Sequence, residues 1–145
     1  MSSAQISEPP SAPKLDLIRR FLKAAGIQKR IDSGSVLDRY AFIGGAVFNV
    51  AAQGGATIRE AVDLATDALR AAYAPHRQVW QEEYESHLNW EFTEEELQEI
   101  VSFLENPVGQ HFLEGRWRMD AYIETNTEDL IEEIATEAEA ALSRR

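Results

Sequence analysis

Three observations predict an all-α protein. Apolar residues recur at the i, i+3, i+4, i+7 spacing that lays one stripe along a helix. Thr-x-x-Glu sequences placed at expected helix starts, Thr57 with Glu60 and Thr93 with Glu96, have the spacing of a capping box. No segment sustains the period-two alternation of a half-buried strand, and no repeat of about 20–50 residues appears. A chain of 145 residues fits one domain, able to bury about 70% of its unfolded surface. The expected architecture is a single-domain bundle of about six helices over residues 14–145, ending in a long C-terminal helix. Residues 1–13, rich in Ser and Pro, are expected as a disordered tail.

The first helix is expected from Lys14 to Ala25, with Leu15, Ile18, Leu22 and Ala25 on one face, Leu17 and Phe21 widening it, and Gly26 ending it in a left-handed cap. Ile27 to about Gln53 carries a second helical pattern through Val36, Tyr40, Ile43, Val47 and Val50, weakened by Gly34, Gly44 and Gly45. The Gly44-Gly45 pair, set among apolar residues, is read as a close approach of another backbone in preference to a kink. Gly54-Gly55 breaks the chain. Thr57 and Glu60 then open a helix to about Ala74, whose stripe is Ile58, Ala61, Val62, Ala65, Leu69 and Ala72. Pro75 separates it from a helix over His76 to Trp90, with Trp80, Tyr84 and His87 on one face.

Phe92 to Phe112 is the most legible stretch. The Thr93 hydroxyl and Glu96 carboxylate each satisfy a free N–H at a helix start, and Phe92 with Leu97 forms the hydrophobic staple. Leu97, Ile100, Val101 and Leu104 make the stripe behind it. Asn106-Pro107 stops this helix and starts another, with Gly109 in the new first turn, because proline drives the preceding residue out of the α region yet sits easily as a first helical residue. From there Val108, Phe112, Met119, Ile123, Leu130, Ile134 and Ala138 trace one apolar stripe. Uninterrupted, Pro107 to Leu142 would span about 54 Å. Thr125-Asn126-Thr127-Glu128 offers a bend or restart with a further capping box. A stripe of this length predicts a homodimer.

Acidic FTEEEL, an apolar run, and then Phe103-Leu104-Glu105-Asn106-Pro107-Val108-Gly109 resemble the signature of a bacterial family known as domain of unknown function 2059, roughly F-T-x-x-E-L followed by F-Y-x-S-P-x-G. Leu104 stands where the family usually shows Tyr and Asn106 where it shows Ser; both exchanges keep the apolar face and the capping chemistry. The likeness is strong over Phe92 to about Phe112. It extends weakly to Leu15–Gly26, which is similar to the family's opening helix, and covers the middle third only loosely. The resemblance implies an all-helical fold in proteins commonly exported across the inner membrane, and carries over no catalytic residue.

Composition narrows the chemistry. With no cysteine, disulfides, thiolate metal sites and cysteine nucleophiles are excluded. A formal net charge of −11 argues against nucleic acid or an anionic membrane as partner and is compatible with a cationic one. The late acidic residues from Glu124 to Glu139 read first as the solvated face of an amphipathic helix. No window approaches the roughly 18 apolar residues of a membrane span. Met1–Pro13 lacks the basic and apolar regions of a signal peptide. The location is therefore periplasmic if the chain is a trimmed exported protein, and cytoplasmic if Met1 is the native start.

Glu83 with His87, or His111 with Glu114, could each supply two metal ligands, whereas a zinc site needs three or four; no metal or cofactor is expected. Ser33, Ser35, Ser86 and Ser102 lack a nucleophile context, and no phosphate-cradling glycine loop is present. The expected activity is that of a non-catalytic binding or adaptor module of the bacterial envelope. Trp80, Tyr84, Trp90 and Trp117 are its candidate partner or ligand surface, and Phe92, Thr93, Glu96, Leu97, Asn106, Pro107 and Gly109 are a structural corner. The alternative is a carrier holding a small apolar ligand inside the bundle beside Gly44-Gly45, in a cavity of about 300 Å³ or more. An enzyme using the neighbourhood of His87 or His111 is the weakest reading.

Overall fold

The computed structural model describes residues 8–145. These residues fall into two compact units, the first ending at Leu104 and the second running Glu105–Arg145. The protein is all-helical. Among the described residues there are eight α-helices and two short 3-10 segments, more than the six expected. The excess comes from the division of Ile27–Gln53 into two helices and from the restart after Asn126.

Helix α1, Ala12–Ala24, begins two residues before the expected start, because the Ser11 hydroxyl accepts the Lys14 N–H and Pro13 lies in the first turn. Residues 1–7 of the expected tail lie outside the described residues. Ile27–Gln53 is not one helix. It divides into α2, Ile27–Ser33, a 3-10 segment, Ser35–Ala41, and α3, Ala46–Ala51. Gly34 and Gly44 adopt positive φ, 83° and 89°, which ends a helical turn and costs a residue with a side chain dearly. A Cβ on Gly44 would meet nothing within 4 Å, so this glycine is a turn, not a backbone approach. Gly45 is closely approached, but by its near neighbour Phe42, whose ring and carbonyl would lie 3.1–3.3 Å from a Cβ; the tightest approach is at Gly34, where a Cβ would lie 2.9 Å from the Tyr73 ring. The breaks also undo the expected stripe: Tyr40, Ile43 and Val50 are exposed, while Ala41 and Phe48 are buried.

Helix α4, Ile58–Tyr73, opens on the expected capping box: Thr57 accepts from the Glu60 N–H and Glu60 from the Thr57 N–H. Ala61 and Ala65 are fully buried on it, and their small size suits its packing on α3 and the 3-10 segment; Ile58, placed in the stripe by periodicity, is exposed. Arg70 of α4 grips Asp38 with two hydrogen bonds, Nε at 3.0 Å and Nη2 at 2.5 Å, the fork geometry that makes such pairs strong. A 3-10 turn at Ala74–His76 carries Pro75 and leads into α5, Arg77–Glu91.

Helix α6, Glu94–Glu105, is capped as expected: the Thr93 N–H donates to Glu96 at 2.9 Å and the Glu96 N–H to Thr93 at 3.1 Å. Its Leu97 and Val101 join Leu17, Ile18 and Leu22 of α1 and Leu88 of α5 in the core of the first unit, with Phe92 packed at the edge. One buried charge is set into this assembly. The Lys14 ammonium donates 2.9 Å to the Asn89 carbonyl in the last turn of α5. Burial pushes its pKa below the ordinary lysine value, while Glu94 and Glu96 pull it back up.

The second unit consists of α7, Pro107–Asn126, and α8, Glu128–Ser143. Asn106 caps α7, its side-chain oxygen accepting the Val108 N–H at 2.9 Å, with Pro107 first in the helix and Gly109 in the first turn. The expected restart occurs at Thr127, but without a capping box. The Thr127 hydroxyl turns back to the Ile123 carbonyl at 2.7 Å and offers α8 no side-chain cap; Thr125 lies inside α7, two residues before the break. No helix of the described residues is long and apolar enough to cross a membrane.

Candidate functional site

The candidate aromatics do not form one group. Trp80, Tyr84 and Trp90 lie on α5, whereas Trp117 lies on α7, exposed, in the other unit. On α5, Val79, Trp80, Glu83, Tyr84 and His87 line an apolar depression of about 350 Å³. Their spacing puts all five on one side of the helix. Helix α5 turns its Leu88 edge to the core, which leaves Val79 outward, 53% exposed, whereas Trp80 and Tyr84 are half-buried, Tyr84 against the core itself. Trp80 is held from behind by the buried ring of Tyr73, edge-on at 5.1 Å. Tyr73 in turn donates 2.7 Å to the Ile31 carbonyl, and burial raises its pKa. A partner would meet a rigid ring here.

Trp90 borders a different hollow. Its ring stands 6.0 Å from His87, and it closes one end of a groove of about 420 Å³ between α5 and the segment Glu8–Pro10. Glu82, Glu85 and Ser86 line the same groove, with Asn89 in its wall. The Asn89 amide donates to the Glu8 carbonyl at 2.7 Å, whereas its buried side-chain oxygen has no hydrogen-bond partner. An unpaired buried acceptor costs about 1–3 kcal/mol, and this oxygen is closed off from the groove surface. Nothing in the periodicity of α5 marks Asn89, because its burial comes from the approach of Glu8–Pro10.

Ion pairs of Arg19, Arg70 and Arg77 join separate elements of the first unit. Arg77 pairs with Asp32 of α2 through Nε, at 2.9 Å, and Nη2; hydrogen bonds from Arg77 and Gln28 hold the Asp32 carboxyl below its usual pKa. Arg19 pairs with Glu85 at 3.2 Å. The carboxylate within 4 Å of His87 is that of Glu91, at 3.9 Å. Among the described residues no three His, Asp or Glu side chains converge where a metal ion could be held.

Phe92, Thr93, Glu96 and Leu97 meet at the start of α6, and their work is that of a cap over a core. Asn106, Pro107 and Gly109 do the corresponding work at the start of α7. Comparison with protein-family models, curated proteins and solved structures finds no match for this chain.

Proposed function

We propose that the protein is a non-catalytic binding module, an adaptor of the bacterial envelope in keeping with its resemblance to domain of unknown function 2059, which holds a partner on the outer face of α5. The observation that supports this reading is the outward apolar face of Val79, Trp80 and Tyr84, backed by Tyr73. Rigid aromatic anchors beside an exposed aliphatic residue are what a docked apolar segment needs. Glu83, set between Val79 and Trp80 in the same depression, and the net charge of −11 favour a segment that also carries basic side chains.

The test is native mass spectrometry of wild-type protein and Val79→Glu, each purified from its own host without refolding. The expected wild-type spectrum contains a second polypeptide that Val79→Glu lacks, with both proteins equally helical by circular dichroism. A wild-type protein that carries no second polypeptide overturns the reading.

A second reading, carriage of a small ligand, draws on the Glu8–Trp90 groove of about 420 Å³ and its carboxylates. That groove lies away from Gly44-Gly45, and its acidic lining favours a cationic hydrogen-bond donor over the apolar molecule first expected. An added non-protein mass in the same spectrum, lost in Glu82→Gln, would support it.

A further inference from the structure

We propose that α7 and α8 form a homodimer arm, in which α7 of one copy packs on α8 of a second copy and the exchange is reciprocal. Within the second unit the two helices touch only at their junction. Val108, Met119, Tyr122 and Ile123 of α7 are each more than half exposed, as are Leu130, Ile131, Ile134 and Leu142 of α8. A helix with one apolar side earns its stability by covering that side. The two cannot cover each other, because a single residue, Thr127, joins them, whereas two helices that fold back as a hairpin need a loop of about 2–5 residues.

Charge identifies the occupant. At 3.6 residues per turn, the apolar side of α7 is bordered by Arg116, with Asp120 behind it, on one edge and by His111 and Arg118, the latter 3.9 Å from Glu114, on the other, with Glu124 on the opposite side. The apolar side of α8 is bordered by Glu133 and Glu137 on one edge and by Glu128 and Glu139 on the other, and α8 carries no basic residue. Pairing α8 with α8 would set acid against acid. Pairing α7 with α8 of a second copy sets arginine against glutamate on both edges, and a two-fold axis makes that contact twice.

Spacing agrees with such an axis at Thr127. Ile123 and Ile131 stand equally far before and after it, as do Met119 and Ala135, so two antiparallel arms would bring Ile123 onto Ile131 and Met119 onto Ala135. The helices also match in length, about 30 Å for α7 and 24 Å for α8.

The test uses the full chain, whose lack of cysteine leaves no background thiol. Ile123→Cys and Ile131→Cys proteins are mixed, equilibrated and oxidised. The mixture is expected to give a covalent dimer that neither protein gives alone, because only unlike positions come within the roughly 4.4–6.8 Å between Cα atoms that a disulfide spans. Sedimentation velocity supplies the second measurement. Ile134→Glu is expected to weaken association about tenfold or more, and Arg116→Glu with Arg118→Glu roughly tenfold, the latter recovered by adding Glu137→Arg and Glu139→Arg. An unchanged thermal transition of the first unit shows that these chains are folded. A wild-type monomer at micromolar concentration, cross-linking of Ile131→Cys alone as efficient as in the mixture, or a dimer undisturbed by Ile134→Glu overturns the proposal.

Discussion

Gly34 shows how much a single position without a side chain can carry. Its φ of 83° closes α2, and the Tyr73 ring occupies the space a Cβ would need, 2.9 Å away. Gly34→Ala is therefore expected to destabilise by more than about 1 kcal/mol, since strain and collision outweigh the entropy gained in the unfolded chain; the fall in urea midpoint measures it. Tyr73→Phe keeps the ring but leaves the Ile31 carbonyl without its 2.7 Å donor, an expected cost of about 1–3 kcal/mol in the same titration. Asp32 gives the pH dependence. Its folded pKa is lowered, so the stability it contributes is complete above the ordinary aspartate value of about 3.9 and is lost as pH falls through the lower folded value. Melting temperatures followed downward from pH about 5 should fall more steeply for wild type than for Asp32→Asn. None of these three side chains announces its role in the sequence. Gly34 reads as a weak point in a helix, Tyr73 as the end of a stripe and Asp32 as surface, because each acts through a contact far away along the chain.

At the level of elements, local signals were the most readable. The capping boxes at Thr57 and Thr93 form, the one offered at Thr125 does not, and the Asn106-Pro107 stop falls between α6 and α7. These devices are written within four residues, so the chain needs no distant partner to execute them. The stretch from Ile27 to Gln53 was misread for the opposite reason. Its apolar residues fit a helical period on paper, but Gly34 and Gly44 reset the phase, and Ala41 and Phe48 became the buried residues in place of Tyr40, Ile43 and Val50. Of the candidate surface, the Trp80–Tyr84 face was legible from spacing, whereas the Asn89 groove depends on where Glu8–Pro10 lies. Start and core of α6 also separate cleanly in energy. Leu97 is fully buried, so Leu97→Ala is expected to cost about 2–5 kcal/mol, against about 1 kcal/mol for Thr93→Ala. Parallel denaturation of the two variants compares packing with capping on one helix.

Across the whole molecule, protection should be uneven. Amides of α1 and α6 lie around Ile18, Leu22, Leu97 and Val101, all fully buried, and are expected to exchange only with global unfolding. Those of α7 and α8 should lose protection when the protein is diluted below its association range, while α1 and α6 do not. Hydrogen exchange by mass spectrometry at two protein concentrations distinguishes the cases; equal protection of α7–α8 at both would contradict an arm maintained by a second copy. Lys14 adds a matter of timing. Its ammonium bonds a carbonyl 75 residues further along the chain, and its helix shares its core with α5 and α6. At synthesis rates of about 5–20 residues per second, α1 leaves the ribosome roughly 4–15 s before the surface that shelters it exists. Helix α1 is thus made well before it is fully covered, and for those seconds its leucines are available to whatever escorts nascent chains.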